Sequence, residues 1–188
     1  MNCFCPSCKS TINEFLPFKN QKGRFRKNVK CPICGSGERH RLSALYLDSI
    51  TPIKPNSKVL HFAPEKSIAP ILKKQPDVNY LSVDINPTEG SKKEDINKLS
   101  FENCSFDFIH CFCVLTEISD YKVGVRELYR VMSHGGMGMI VTTDNQYDYF
   151  KEIGFETKLI KSGDVTAPES FQRYGIHPNT LFLLIKKP

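Results

Sequence analysis

The stretch KVLHFAPEKSIAPILKKQPDVNYLSVDINP, residues 58–87, decides the fold. A short apolar run, VLHFA at 59–63, leads into helically spaced residues at 67–74 and then into a second apolar run, YLSVDI at 80–85. Strand, helix and strand within about 30 residues form a parallel βαβ unit, because parallel neighbours need a crossover and a helix is the usual one. The alternation continues toward the C-terminus. Strands are predicted at 106–112 (FDFIHCF), 137–143 (MGMIVTT), 156–160 (ETKLI) and 180–186 (TLFLLIK), with helices at 121–132 and 146–153. In the helix at 121–132, Val123, Val125, Leu128, Tyr129 and Met132 share one face while Lys122, Arg126 and Arg130 share another. No clear helix separates the last two strands, which permits an antiparallel hairpin at the sheet edge. The expectation is an α/β fold, a mostly parallel Rossmann-like sheet with an antiparallel C-terminal edge.

Toward the N-terminus the pattern changes. Cys5 and Cys8 form one C-x-x-C and Cys31 and Cys34 another, with 22 residues between the pairs, the spacing of a structural zinc ribbon. Cys3 offers a fifth sulfur, but the C-x-x-C pairing favours Cys5. Residues 1–36 therefore read as two zinc knuckles joined by a loop carrying Phe15, Leu16, Phe18 and Phe25. A segment this small buries too little apolar surface to fold alone, so the metal supplies folding free energy. A helix is predicted at 38–50, with Ser36 near its start as a cap, and the segment TPIKPNS at 51–57 is a turn or linker. The expected organisation is a zinc ribbon at 1–36, a connecting helix and linker at 37–57, and a catalytic domain at 58–188.

Composition narrows the class. Of 188 residues, 40% are hydrophobic and 24% charged, which excludes collagenous and disordered chains. The longest apolar run is five residues, 181–185, far short of the roughly 18 needed to cross a bilayer. The start, MNCFCPSCKS, lacks the basic and then apolar pattern of a secretory signal, so a cytoplasmic protein is expected. Charge is uneven: residues 1–58 carry a formal +8 and the remainder −2. A basic N-terminal third suits an anionic partner such as a nucleic acid, a sugar nucleotide or a phosphorylated glycan, although a solvated basic loop at 19–30 has the same composition.

In an open α/β sheet, ligands bind beyond the carboxyl ends of the strands, where strand order reverses. The first strand ends in His61-Phe62-Ala63-Pro64-Glu65 and the second in Asp84-Ile85-Asn86-Pro87. An acidic residue at Asp84 is placed to accept hydrogen bonds from ribose hydroxyls, or else to form a strand-end turn. Asp95 and Ile96 offer an adenine an edge and a face, or Asp95 is a surface turn residue.

The ordered runs VLHFAPE, YLSVDINP, EDINKLSF, FDFIHCFCVLTEI and ELYRVMSHGGMGMIVT resemble the motifs of class I S-adenosylmethionine-dependent methyltransferases. The front end, CPSC with FLPF and then CPICGSGERHRLSALYL, is similar to a bacterial branch in which a zinc ribbon precedes that domain and whose members are associated with surface-glycan biosynthesis. The resemblance implies that His61, Phe62, Ala63 and Glu65 line the methionine end of the cofactor, that Asp84 and Ile85 meet the ribose, and that Asp95 and Ile96 flank the adenine. It places Cys111 and Phe112 under the cofactor, and Arg39, His40 and Arg41 near the cofactor or substrate mouth. Two motifs depart from the superfamily. Its usual first loop is an acidic residue followed by G-x-G, where this chain has His61, Ala63, Pro64 and Glu65. Relatives usually read close to VLEHI where this chain has Val114-Leu115-Thr116-Glu117-Ile118, without the histidine.

Methyl transfer from a sulfonium is an in-line displacement in which the cofactor supplies the reactive group. A hydroxyl acceptor benefits from a general base; the candidates are Glu117 and His177 and, behind them, His110 and His134, and the RYG segment with Tyr174 resembles the family's carboxy-terminal active-site region. His110, inside a strand, reads as a packed core residue, His134 as part of a turn before a strand, and Cys104, Cys111 and Cys113 as small hydrophobes. The domain from Lys58 onward spans only 131 residues. Its acceptor pocket must therefore borrow from the ribbon, from the loop at 162–179 or from a second subunit of a homo-oligomer. The leading expectation is O-methylation of a sugar, glycan or related anionic small molecule in surface polysaccharide biosynthesis. The alternatives are an RNA methyltransferase whose basic ribbon grips phosphates, and a non-catalytic methyltransferase-like binding protein.

Overall fold

The computed structural model describes residues 2–19, 23, 25–49, 53–87 and 90–188. They cluster into two compact units that interleave along the sequence. Unit 1 is Met1–Pro52, Glu65–Ile71 and Ile160–Leu181, and unit 2 is Ile53–Pro64, Leu72–Leu159 and Phe182–Pro188.

Unit 1 begins with two antiparallel hairpins, β1 (Cys3–Cys5) with β2 (Ser10–Ile12) and β3 (Leu16–Lys19) with β4 (Phe25–Lys30). Helix α1 (Glu38–Ser49) follows, burying Leu42, Ala44, Tyr46 and Leu47 together with Arg41. The predicted helix end at Ile50, and the first two residues of the predicted linker, lie outside the described residues.

The sheet comprises β5 (Lys58–Phe62), β6 (Asn79–Asp84), β7 (Lys92–Lys93), β8 (Phe106–Phe112), β9 (Met132–Val141), β10 (Glu156–Lys161) and β11 (Leu181–Lys186). Their order is β10-β11-β9-β8-β5-β6-β7. Strands β5 to β9 pair in parallel and β11 runs antiparallel to β9, which is the mostly parallel Rossmann-like sheet with the antiparallel edge. Strand order reverses at β5, which has β6 on one side and β8 on the other, so the crevice of such a fold opens at the carboxyl ends of these strands.

The crossovers are α2 (Ala69–Lys73), α3 (Tyr121–Val131) and α4 (Asp144–Ile153). Asp120 caps α3, its carboxylate accepting the amides of Lys122 and Val123. That satisfies two of the four N–H groups a helix start leaves open. Val125, Leu128 and Val131 of α3 and Phe150 of α4 pack on Leu60, Phe62, Ile109, Cys111 and Ile140 of the sheet, forming the core of unit 2. The alternate residues Val59, His61, Phe108, His110 and Met139 are buried as well, so the central strands are nearly continuous apolar runs, as fully covered parallel strands are.

The structure corrects the predicted turn at His134. Phe106 faces Met132 but Phe108 faces Met137, so β9 starts five residues earlier than expected and carries an irregular bulge at 133–136, with Gly135 at φ +73°. Cys104 is exposed rather than packed as a small hydrophobe. Its thiol lies 3.5 Å from the ammonium of Lys187, which donates to the carbonyls of Tyr129 and Met132 at the end of α3. Residues 162–179, expected as a loop, contain two short helices, α5 (Ser162–Val165) and α6 (Phe171–Tyr174).

Candidate functional site

A cleft of about 410 Å³ opens in unit 2 at the carboxyl ends of β5, β6 and β8. Phe62 and Ala63 come from the end of β5, Val83, Asp84 and Ile85 from β6 and its exit, and Glu94, Asp95 and Ile96 follow β7. Phe112, Cys113, Val114, Glu117 and Ile118 supply the β8 side. Both its size and its mixture of apolar walls with a few polar groups are those of a small-molecule site.

Each wall has a local cause. Asp84 Oδ1 accepts the Asn86 amide at 2.8 Å, a turn that fixes the carboxylate at the end of β6. Asp95 Oδ1 accepts the Asn97 amide at 2.8 Å. Both residues thus serve as turn formers and also line the cleft. Behind Asp95, Glu94 accepts the Ser100 amide at 2.9 Å and pairs with Lys92 at 2.5 Å. Burial raises the Glu94 pKa, but the hydrogen bonds from Lys92 and Ser100 outweigh it and hold the carboxylate below its ordinary range. Glu127 of α3 accepts the Leu99 amide at 2.8 Å, while Arg130 donates to the carbonyls of Leu99 and Phe101. The segment 94–101 is therefore anchored by ionised side chains before any ligand arrives.

Among the sequence-predicted cofactor residues, the cleft brings together Phe62, Ala63, Asp84, Ile85, Asp95, Ile96 and Phe112, along with the candidate base Glu117. His61 and Cys111 do not line it. His61 shares its sheet face with His110 and Phe112. Its Nδ1 lies 2.9 Å from the Tyr80 hydroxyl and its ring meets His110 edge-on at 4.7 Å. Cys111 packs in the core. Glu65 belongs to unit 1, where it sits 3.6 Å from His40 Nε2. Arg39, Tyr174 and His177 are also in unit 1: Arg39 is exposed, Tyr174 meets Phe4 edge-on at 6.3 Å, and His177 Nδ1 accepts the Asn179 amide at 3.1 Å. Val83, Glu94, Cys113, Val114 and Ile118 were missed. Strand-end position was the available signal for Val83, Cys113 and Val114.

Unit 1 carries a second constellation. The sulfurs of Cys5, Cys8, Cys31 and Cys34 all lie within 4.8 Å of one another, with Cys5–Cys34 at 3.7 Å and Cys8–Cys31 at 3.8 Å. A tetrahedral ion about 2.3 Å from each sulfur sets them about 3.8 Å apart, so the set fits Zn²⁺. Cys3 stands outside the group. In the absence of a cation, burial pushes Cys31 up and Cys34 up to about 12. Burial also raises Cys5, but hydrogen bonds from Ser36 and the Cys8 amide bring it down to about 7. One thiolate forms readily and further ones are opposed by its charge, which a divalent metal reverses. Arg41, placed by the sequence near a ligand mouth, is instead wholly buried. Burial pulls its pKa below the ordinary arginine value, against the attraction of Cys5, Glu38, Cys31 and Cys34.

The family model described as "Methyltransferase domain" matches residues 33–140, more than half of the chain, and the chain belongs to that family. It is a class I S-adenosylmethionine-dependent methyltransferase by that match. Among solved structures it is similar to the 4+2 cyclase SpnF, with 13% identity, 79% of this chain and 81% of that one covered, and a TM-score of 0.61. It also resembles a chain of the complex between the Haloferax volcanii Trm112 methyltransferase activator and a methyltransferase (14% identity, 80% and 91% covered, TM-score 0.59). A third likeness is an S-adenosylmethionine dependent methyltransferase from Mesorhizobium loti (12% identity, 78% and 98% covered, TM-score 0.58). At these identities the likenesses establish the fold alone. No match to the chain is found among curated proteins. Among the described residues no helix is long and apolar enough to cross a membrane.

Proposed function

We propose that the unit 2 cleft binds S-adenosylmethionine and that the chain methylates a hydroxyl of an anionic sugar, glycan or related small molecule in the cytoplasm. The observation that carries this reading is the convergence of Asp84, Asp95 and the apolar side chains of Ile85, Ile96 and Val114 in one cleft at the strand-order reversal. Asp84 would accept the ribose hydroxyls, and Ile96 and Val114 would pack against the flat faces of the adenine with Asp95 at its edge. Phe62, Ala63 and Cys113 would bound the methionine end. When bound, the cofactor supplies an electrophilic methyl on a sulfonium. The chain's own task is to exclude water and hold an acceptor oxygen in line, an arrangement that contributes several kcal/mol or more, roughly, by proximity. Glu117, an exposed carboxylate on the cleft rim, is the group placed to take the acceptor's proton.

The four cysteines would hold a structural Zn²⁺, with no position left open for a substrate. The net positive charge of the ribbon third supports an anionic acceptor. The test incubates the zinc-loaded chain with methyl-labelled cofactor and pools of nucleotide sugars, phosphorylated glycans and RNA. Label on a sugar pool, reduced at least tenfold in Glu117→Gln with cofactor binding intact, is the expected result. Label on no pool, with cofactor bound, would overturn the acceptor class.

A second reading rests on the β3–β4 hairpin, where Phe25 is 57% exposed beside Arg26, Lys27 and Lys30. Exposed aromatics interleaved with cations suit single-stranded RNA. Labelled RNA, with binding that falls steeply as salt rises, would favour it.

A further inference from the structure

Arg41 is a buried cation that, among the described residues, makes no ion pair with a carboxylate. Its guanidinium instead gathers main-chain carbonyls from three separate stretches of unit 1. Nη2 donates to Val29 O of β4 at 2.9 Å and to Gly175 O, Nε to Tyr174 O at 2.8 Å, and Nη1 to Ser36 O. The Phe15 ring lies 4.1 Å from its Cζ. Carbonyl dipoles and a ring face supply no formal charge, and a buried cation without a counter-anion is costly.

The opposite charges that favour it are those of Cys5, Glu38, Cys31 and Cys34. Ser36 Oγ lies 3.2 Å from both the Cys5 and Cys34 sulfurs and 3.5 Å from Arg41 Nη1, so one hydroxyl bridges the guanidinium and two of the sulfurs. Four thiolates around a divalent ion carry a net charge of about −2. The same guanidinium holds the end of α6, where Gly175 is left-handed at φ +58° and so close to Phe15 that a Cβ would meet the ring.

We infer that Arg41 is a positioning residue that couples metal loading of the four-cysteine site to the docking of residues 171–177. This rests on reading the cysteines as a zinc site. Loaded, the ion fixes the four sulfurs and with them Ser36, and the guanidinium held by Ser36 clamps Tyr174 and Gly175. Stripped, the sulfurs are no longer tied together, Ser36 loses its fixed place between them and the guanidinium, and the clamp releases. Linkage then requires docking to tighten metal binding by the same factor.

The test is amide exchange on the full chain, zinc-loaded and stripped by a chelator, with bound zinc measured directly. The reporters are the Gly175 and Ile176 amides, which bond to the carbonyls of Gln172 and Phe171. Stripping is expected to speed their exchange tenfold or more while β5 and β8 of unit 2 stay protected. Arg41→Met is expected to lose roughly 10- to 100-fold in zinc affinity, the range for outer-shell partners of a metal, and to release the segment. Arg41→Lys, which keeps the charge but cannot span the carbonyls, is expected to leave the segment released and to bind zinc more weakly than the wild type, as linkage requires. Equal exchange at Gly175 and Ile176 in loaded and stripped wild type overturns the inference and leaves the zinc reading standing. A wild-type chain that retains no zinc overturns that reading and the inference with it.

Discussion

Ala63 and Cys113 turn the same corner at the ends of two adjacent parallel strands. The Ala63 amide donates to Val83 O and the Cys113 amide to Val141 O, both at 2.9 Å, and each residue then leaves the sheet in the left-handed region, at φ +45° and +60°. Both line the cleft. In the loop after β5, where the superfamily usually has glycines, Ala63 thus adopts a glycine-like backbone.

A side chain in that conformation costs about 1–2 kcal/mol. Ala63→Gly should therefore leave stability unchanged or raise it by up to about 1 kcal/mol, although glycine in an ordinary strand costs 0.5–1 kcal/mol, roughly. Ala63→Val should destabilise by about 2 kcal/mol. Denaturant unfolding monitored in unit 2 measures both. A loss of more than 1 kcal/mol, roughly, in Ala63→Gly would mean that the alanine methyl contributes packing outweighing its strain.

The Glu127–Arg130 pair, 2.7 Å apart, makes unit 2 sensitive to acid. Hydrogen bonding to Arg130 holds the Glu127 carboxyl below the usual range. A carboxylate with a depressed native pKa contributes stability that is complete above its unfolded value of about 4.3 and is lost as pH falls through the native value. Glu127→Gln should cost about 1–3 kcal/mol at pH 7, the scale of a charge-assisted hydrogen bond. That deficit should shrink toward zero at the acid end, which a pH series of unfolding midpoints would show.

Zinc binding should release protons. At pH 7.5 the Cys5 thiol, brought down to about 7, is largely ionised, while Cys31 and Cys34 are pushed up and remain protonated. Loading must displace about two protons from the latter pair. Titrations in buffers of different ionisation enthalpy should give heats that vary with the buffer. Affinity should fall as pH drops.

Gly175→Ala should destabilise unit 1 by about 1–3 kcal/mol, because the added Cβ meets the Phe15 ring in a left-handed turn. Trimming the ring in Phe15→Leu should recover part of that loss. Additivity of the two changes in a double-mutant cycle would contradict the contact.

The strands, the four cysteines and the Asp84 and Asp95 positions were legible because periodicity, C-x-x-C spacing and strand-end placement are local signals. Arg41 was not legible. A charged residue at a helix start reads as surface, and its burial depends on carbonyls more than 130 residues away at Tyr174 and Gly175. The left-handed Ala63 was hidden for a related reason, since only glycine advertises that backbone.

The most direct test of the cofactor site is calorimetric titration of the zinc-loaded chain with S-adenosylhomocysteine, repeated on Asp84→Asn. The account predicts binding in the micromolar range for the wild type and a loss of at least tenfold, about 1.4 kcal/mol, in the variant. No binding by a folded wild type, or equal binding by both proteins, would contradict it.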